Sequence, residues 1–215
     1  MFLDHTAPIK MSNPMTPPSN PTDILHTNTV DSIQAKEALL KDARLIEVFG
    51  KAASHVIDCY KSGGRLYIAG NGGSAADAQH LAAELVSRLA RDRNPLPAES
   101  LTTDTSILTA VGNDYGFEHV FSRQLIAKLR PQDVFLGITT SGKSKNILLA
   151  LDVCKQMAVK SLIFTGFTGG PAAEIADYSF IVPGARTSTV QELHILLAHS
   201  LCESVEMALF PVEAV

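Results

Sequence analysis

The chain has 215 residues, 46 % of them hydrophobic and 19 % charged, enough to bury the core of one ordinary domain. Its 18 Lys and Arg against 22 Asp and Glu give a formal net charge of -4 with no basic concentration, so neither nucleic acid nor an anionic membrane is expected as a partner. No apolar run reaches the roughly 18 residues needed to cross a bilayer, and residues 1–30 lack the basic-then-apolar order of a secretory signal; a cytoplasmic protein is expected.

Five of the eleven prolines, Pro8, Pro14, Pro17, Pro18 and Pro21, crowd the start of the chain, and residues 1–28 are expected to be an irregular Pro-rich extension. Residues 29–215 are expected to form a single domain. From Asp31, apolar residues recur at helical spacing through Ile33, Ala35, Leu39, Leu45, Val56 and Tyr60, until Gly63 and Gly64 stop them. A strand at 65–69, a tight glycine turn, and a helix carrying Ala78, Leu81, Ala82 and Leu85 follow, the order of an α/β layer protein.

Further strands are expected at 98–101, 134–138, 160–164 and 179–182, each short and mostly apolar, as suits strands covered on both faces. Helices fill about 105–111, 118–129, 144–157 and 172–176, with a last one from about 189 to 210. The sum is an α/β fold: a three-layer αβα sandwich with a five-stranded parallel sheet and an additional N-terminal helical region. Ligands of such sheets sit at the carboxyl ends of the strands, so the loops at 70–74, 102–104, 139–144 and 165–170 point to one concave edge. The cysteines Cys59, Cys154 and Cys202 are odd in number, widely spaced and set among apolar residues, the pattern of buried free thiols.

Chemistry-bearing residues gather in four places. The first is Gly70-Asn71-Gly72-Gly73-Ser74, whose glycines let the backbone turn tightly and approach a ligand while Ser74 caps the helix or binds an oxygen; it fits neither the dinucleotide nor the Walker spacing. The second, Thr139-Thr140-Ser141-Gly142-Lys143-Ser144-Lys145-Asn146, sets four hydroxyls and two lysines around a helix start, a cradle for one phosphate without a metal. The third is polar residues on otherwise apolar helices. His80 and Glu84, four apart, rise on one helix face and can address one ligand, or form a surface pair worth only about 0.3–0.5 kcal/mol. Gln191, Glu192, His194 and His199 lie among leucines, where His199 also reads as a core histidine. The fourth is Val111-Gly112-Asn113-Asp114-Tyr115-Gly116-Phe117, a polar loop between helices, near the modest basic cluster Arg88, Arg91 and Arg93.

Gln191 and His199 are eight residues apart, roughly 12 Å along a helix and about 80° around it, so one straight helix does not present both to a single atom. Either the helix begins after Gln191, or the two residues reach one pocket from different subunits.

These five segments in this order resemble the sugar isomerase (SIS) domain proteins, and within them the phosphoheptose isomerases, over residues 31–210: the glycine loop, Gln79-His80-Leu81-Ala82-Ala83-Glu84-Leu85, the segment from Val111 to Phe117, Thr140-Ser141-Gly142 with Ser144, and Gln191-Glu192-Leu193-His194 with His199. The resemblance implies an aldose-ketose isomerase that converts sedoheptulose 7-phosphate to D-glycero-D-manno-heptose 7-phosphate by enediol chemistry. It implies Glu84 and His199 as the acid/base pair, and His80, Glu84, Gln191 and His199 as a zinc site. Substrate contacts fall on Asn71, Gly72, Gly73, Ser74, Glu84, Arg88, Asn113, Asp114, Thr139, Thr140, Ser141, Ser144 and Gln191. It also implies a homotetramer with active sites between subunits and no nucleotide cofactor. The chain departs from the family at Thr189, commonly Arg, and at Lys143, often Asn. A non-catalytic SIS protein that binds a phosphosugar or a protein partner is the alternative; the replication-initiation factor of this fold lacks an equivalent of Glu84.

Overall fold

The computed structural model describes residues 20–211. Helix α1 spans Pro21–Lys41, earlier than expected: the Asn20 side chain accepts from the Thr22 and Asp23 amides, and Pro21 occupies the first helical position, where its missing N–H costs no hydrogen bond. The irregular extension expected over residues 1–28 is thereby corrected from Pro21 onward, and its part at 1–19 lies outside the described residues. Asp42 closes α1 and opens α2, Ala43–Lys61, by accepting from the Leu45 amide, which divides the long helical period in two.

Five strands follow: β1 (Leu66–Gly70), β2 (Ala98–Ser100), β3 (Val134–Ile138), β4 (Lys160–Gly166) and β5 (Tyr178–Val182). All pair in parallel, in the order β2-β1-β3-β4-β5. Between them run α3 (Gly73–Val86), α4 (Thr105–Tyr115), α5 (Ser122–Lys128), α6 (Lys145–Gln156) and α7 (Gly170–Ile175), and α8 (Thr187–Leu209) ends the fold. The three-layer sandwich read from the sequence is the fold observed.

The strand pleat sorts side chains into two cores. Leu66, Ile68, Val134, Leu136, Leu162 and Phe164 join α2, α3 and α8 on one face, whereas Tyr67, Ala69, Phe135 and Ile163 join α5 and α6 on the other. Burying each large side chain fully stabilises the fold by about 1.5–3 kcal/mol, which offsets part of the entropy of ordering the chain. Cys59, Cys154 and Cys202 are buried and free, as expected, and burial pushes each thiol up to about 12.

Strand order reverses between β1 and β3: the chain leaves β1 toward β2 on one side and continues from β3 to β5 on the other. The loops after β1 and β3 therefore flank the crevice where open parallel sheets bind ligands.

Candidate active site

The loop after β1 admits only glycine at two positions. A Cβ on Gly70 would stand 2.4 Å from the Ser74 carbonyl oxygen, and Gly72 starts α3 with a φ of 56°. Across the crevice, Gly142 has a φ of 65° and lies so close to Gly169 that a Cβ would be 1.8 Å from its carbonyl oxygen. The two loops are tied together. Asn71 Nδ2 donates to Asn146 Oδ1 at 2.9 Å, and Asn146 Nδ2 donates back to Asn71 Oδ1 at 2.8 Å. The side chain of Asn71, expected on the substrate, is thus engaged in joining the loops.

In the second loop the Thr139 and Ser144 hydroxyls share a hydrogen bond of 3.0 Å, and Ser141 Oγ accepts from the Lys143 amide at 3.3 Å. The Ser144 side chain does not cap α6. The first amides of that helix therefore keep their donors for a ligand, and its positive end adds to the attraction for an anion.

Lower on the same face of the sheet, three candidate residues meet. His80 and Glu84 rise from α3 and His199 from α8, with one ligand atom from each lying within 4.8 Å of the others. His80 Nε2 is 3.0 Å from Glu84 Oε1 and 3.1 Å from His199 Nε2. A nitrogen facing both a carboxylate and a second imidazole nitrogen carries at most one proton to share between them. Two imidazoles and a carboxylate are also the donor set of a zinc ion, whose ligand atoms stand about 3.3 Å apart at tetrahedral geometry. The spacing here fits that ion.

Gln191 sits against the start of the same helix α3. Its Nε2 lies where a Cβ on Gly73 would be, 2.4 Å away. Both Gln191 and His199 belong to the single helix α8, so the option of a helix beginning after Gln191 is excluded. His80 is seven residues beyond Gly73, roughly 10 Å along α3. Of the four-ligand set expected from the family, three residues meet in one place, and Gln191 lies beside Gly73 on the helix that carries two of them.

Asn113 and Asp114 are not in a loop: α4 continues to Tyr115 and stops at Gly116, φ 96°, and the Asn113 amide donates to the Asp114 carboxylate at 2.8 Å. Arg88, past the end of α3, is exposed and 3.9 Å from the Asp92 carboxylate.

One residue escaped the reading of the sequence. Asp77 lies on the stripe Gly73, Asp77, His80, Glu84, spaced i, i+4, i+7 and i+11 along α3, which is the signal that would have found it. Its Oδ2 is buried with no hydrogen-bond partner among the described residues. Burial pushes this carboxyl above the usual carboxylate range, against the opposing pull of His80.

Comparison with known proteins agrees with the geometry. The SIS domain family matches residues 33–166. The phosphoheptose isomerase of Aneurinibacillus thermoaerophilus is 49 % identical over 188 residues, covering 87 % of this chain and 95 % of that enzyme. Phosphoheptose isomerase 2 of Campylobacter jejuni is 52 % identical over 180 residues, 84 % of this chain and 90 % of its own. Among solved structures, the phosphoheptose isomerase of Neisseria gonorrhoeae superposes with a TM-score of 0.81 at 40 % identity, covering 87 % of this chain and 99 % of that one. With about half its residues shared across nearly the whole length of such relatives, the chain belongs to the SIS domain family, on its phosphoheptose isomerase branch.

Proposed function

We propose that the protein interconverts sedoheptulose 7-phosphate and D-glycero-D-manno-heptose 7-phosphate, with Glu84 and His199 as its acid/base pair. The observation that carries this reading is the convergence of Glu84, His80 and His199 from two helices, in a chain about half identical to phosphoheptose isomerases. The non-catalytic alternative loses support because Glu84 is present and faces the cluster.

Moving a carbonyl from C2 to C1 removes one proton from C1, passes through an enediol, and delivers one proton to C2, while a hydroxyl proton moves from O1 to O2. Glu84 takes the C1 proton and returns it to C2. Its Oε1 faces His80, and Oε2 accepts no hydrogen bond among the described residues, so that oxygen is the base. In the metal-free protein, His199 carries the hydroxyl proton. The phosphate rests on Thr139, Thr140, Ser141, Ser144 and the first amides of α6, and Ser74 with the Asn71-Gly72-Gly73 backbone faces the sugar. Binding the remote phosphate fixes C1 and C2 against the base, so its binding energy lowers the barrier.

His80, Glu84 and His199 would hold a zinc ion, with Gln191 as the further ligand expected from the family. When bound, the ion supplies Lewis-acid polarisation of a sugar oxygen.

The separation along α3 favours a site shared between subunits. Gln191 lies against Gly73 at the start of α3 and the phosphate loop leads into Asn146, which is bonded to Asn71 just before that helix, whereas His80 lies seven residues further on, roughly 10 Å along the helix. A neighbouring copy that brings its own loops to this cluster completes the set, in the homotetramer expected from the family. Exposed Tyr115 at the end of α4, a helix with no buried residue despite Ile107, Leu108 and Val111, and exposed Phe117 just after it offer apolar surface for such contacts.

Purified protein incubated with sedoheptulose 7-phosphate, with and without chelator, tests the reading by NMR. An aldose 7-phosphate signal is expected; no conversion of this ketose under either condition contradicts it.

A further inference from the structure

Arg93 and Glu206 form a buried ion pair, each side chain 1 % exposed. Arg93 Nε and Nη2 both lie 3.0 Å from Glu206 Oε1. Most of the rest of the guanidinium is spent on the end of α3: Nη2 donates to the Glu84 carbonyl at 2.8 Å, and Nη1 donates to the Leu85 and Ser87 carbonyls at 2.6 and 3.0 Å and to the Asn94 carbonyl at 3.2 Å. Glu206, on α8, also accepts from the Leu89 and Ala90 amides at 3.1 and 3.2 Å. Burial alone would raise this carboxyl, but the two amides and Arg93 hold it below the usual carboxylate range.

Helix ends leave their last carbonyls without intrahelical donors. Here one planar fork caps the end of α3 and bonds α8 at once, a geometry that an ammonium group does not reproduce. The capped carbonyl at Glu84 belongs to the residue that faces His80, and the helix holding Glu206 is the one that carries His199.

We propose that Arg93, bridged to Glu206, is a positioning residue that locks the end of α3 to α8 and so holds Glu84 and His80 in register with His199. The proposal rests on Glu84 and His199 being the reacting pair. Its consequence falls on the chemical step and on the metal set, and not on phosphate capture, because the 139–144 loop leaves a different strand and Arg93 bonds none of its residues.

The test compares Arg93→Lys and Glu206→Gln with Val56→Ala, a substitution in the α2 core away from the cluster, by steady-state kinetics on sedoheptulose 7-phosphate well below each melting temperature. Zinc affinity is read in parallel by competition with a chelating dye. For both pair variants we expect kcat to fall by about tenfold or more with KM within about threefold, since a misplacement near 1 Å costs up to about a hundredfold, and zinc to bind correspondingly more weakly. Val56→Ala is expected to lose melting temperature but keep kcat. Pair variants whose kcat and zinc affinity match those of Val56→Ala overturn the proposal, as does a loss confined to KM; if Arg93→Lys does not fold, Glu206→Gln decides alone. Glu84→Gln, run alongside, separates the two failures: unchanged turnover there removes the assignment of Glu84 itself, whereas lost turnover there with intact pair variants removes only the role of Arg93.

Discussion

His199 Nε2 lies 3.1 Å from His80 Nε2, imidazole nitrogen against imidazole nitrogen across two helices. Two neutral rings satisfy this contact only if one donates and the other accepts, and His80 Nε2 already faces Glu84 Oε1 at 3.0 Å. A cation resolves the competition by letting all three atoms act as donors of electron pairs. His80→Gln is expected to lower zinc affinity by at least about tenfold, measured by dye competition. Equal affinity in the variant contradicts a metal site here.

Gly142 gives a prediction about substrate capture. Alanine there takes on a left-handed backbone, at about 1–2 kcal/mol, and meets the Gly169 carbonyl at 1.8 Å. Because that carbonyl is backbone, the 139–144 loop itself has to move. Gly142→Ala is expected to raise KM for the phosphosugar by about tenfold, more than it lowers kcat, since the loop binds the group remote from the reacting carbons. Steady-state kinetics check this, and an unchanged KM removes the loop from phosphate binding.

The reciprocal amide pair Asn71 and Asn146 predicts coupling between the two loops. Asn146→Ala leaves the Asn71 amide without both partners, a loss of about 1–2 kcal/mol in stability. The double variant with Asn71→Ala is expected to lose less than the sum of the two single losses, as read from urea unfolding. Additive losses mean the pair carries no joint energy.

His194 predicts an acid weakness. It is fully buried beneath Phe164, and burial pushes its pKa from 6.5 to about 4, against the opposing pull of the Thr165 backbone. As pH falls below 6.5, the unfolded chain takes up a proton on His194 that the folded chain refuses until about 4. The stability contributed by the neutral ring is thus full above 6.5 and drains across that window, by on the order of 3 kcal/mol at about 1.4 kcal/mol per pH unit. His194→Leu is expected to lose that part of the pH dependence in urea titrations at pH 7.5 and 5.

Much of this molecule was legible from residue order. The short apolar runs that mark doubly covered strands, the turn between β1 and α3, and the hydroxyl-rich start of α6 all follow from local patterns, and His80 with Glu84 follows from helical spacing. What misled was residue chemistry with two uses. Pro21 reads with the other prolines of the irregular start, yet proline suits the first turn of a helix that Asn20 caps. Asn113 and Asp114 are turn formers, but Gly116 is where α4 ends. The sequence counts Arg93 and Glu206 as ordinary charges, because burial of a pair depends on a contact across 113 positions. Glu206 did carry a signal: it follows Cys202 by four on the buried face of α8.

The account depends most on Glu84 moving a proton between carbons. Turnover of sedoheptulose 7-phosphate in heavy water, followed by NMR for wild type and Glu84→Gln with folding and assembly checked in both, measures this directly. Wild type is expected to place solvent deuterium on C1 or C2, and Glu84→Gln to lose conversion and exchange together by about a thousandfold or more. A Glu84→Gln protein that still exchanges and converts at the wild-type rate contradicts the account.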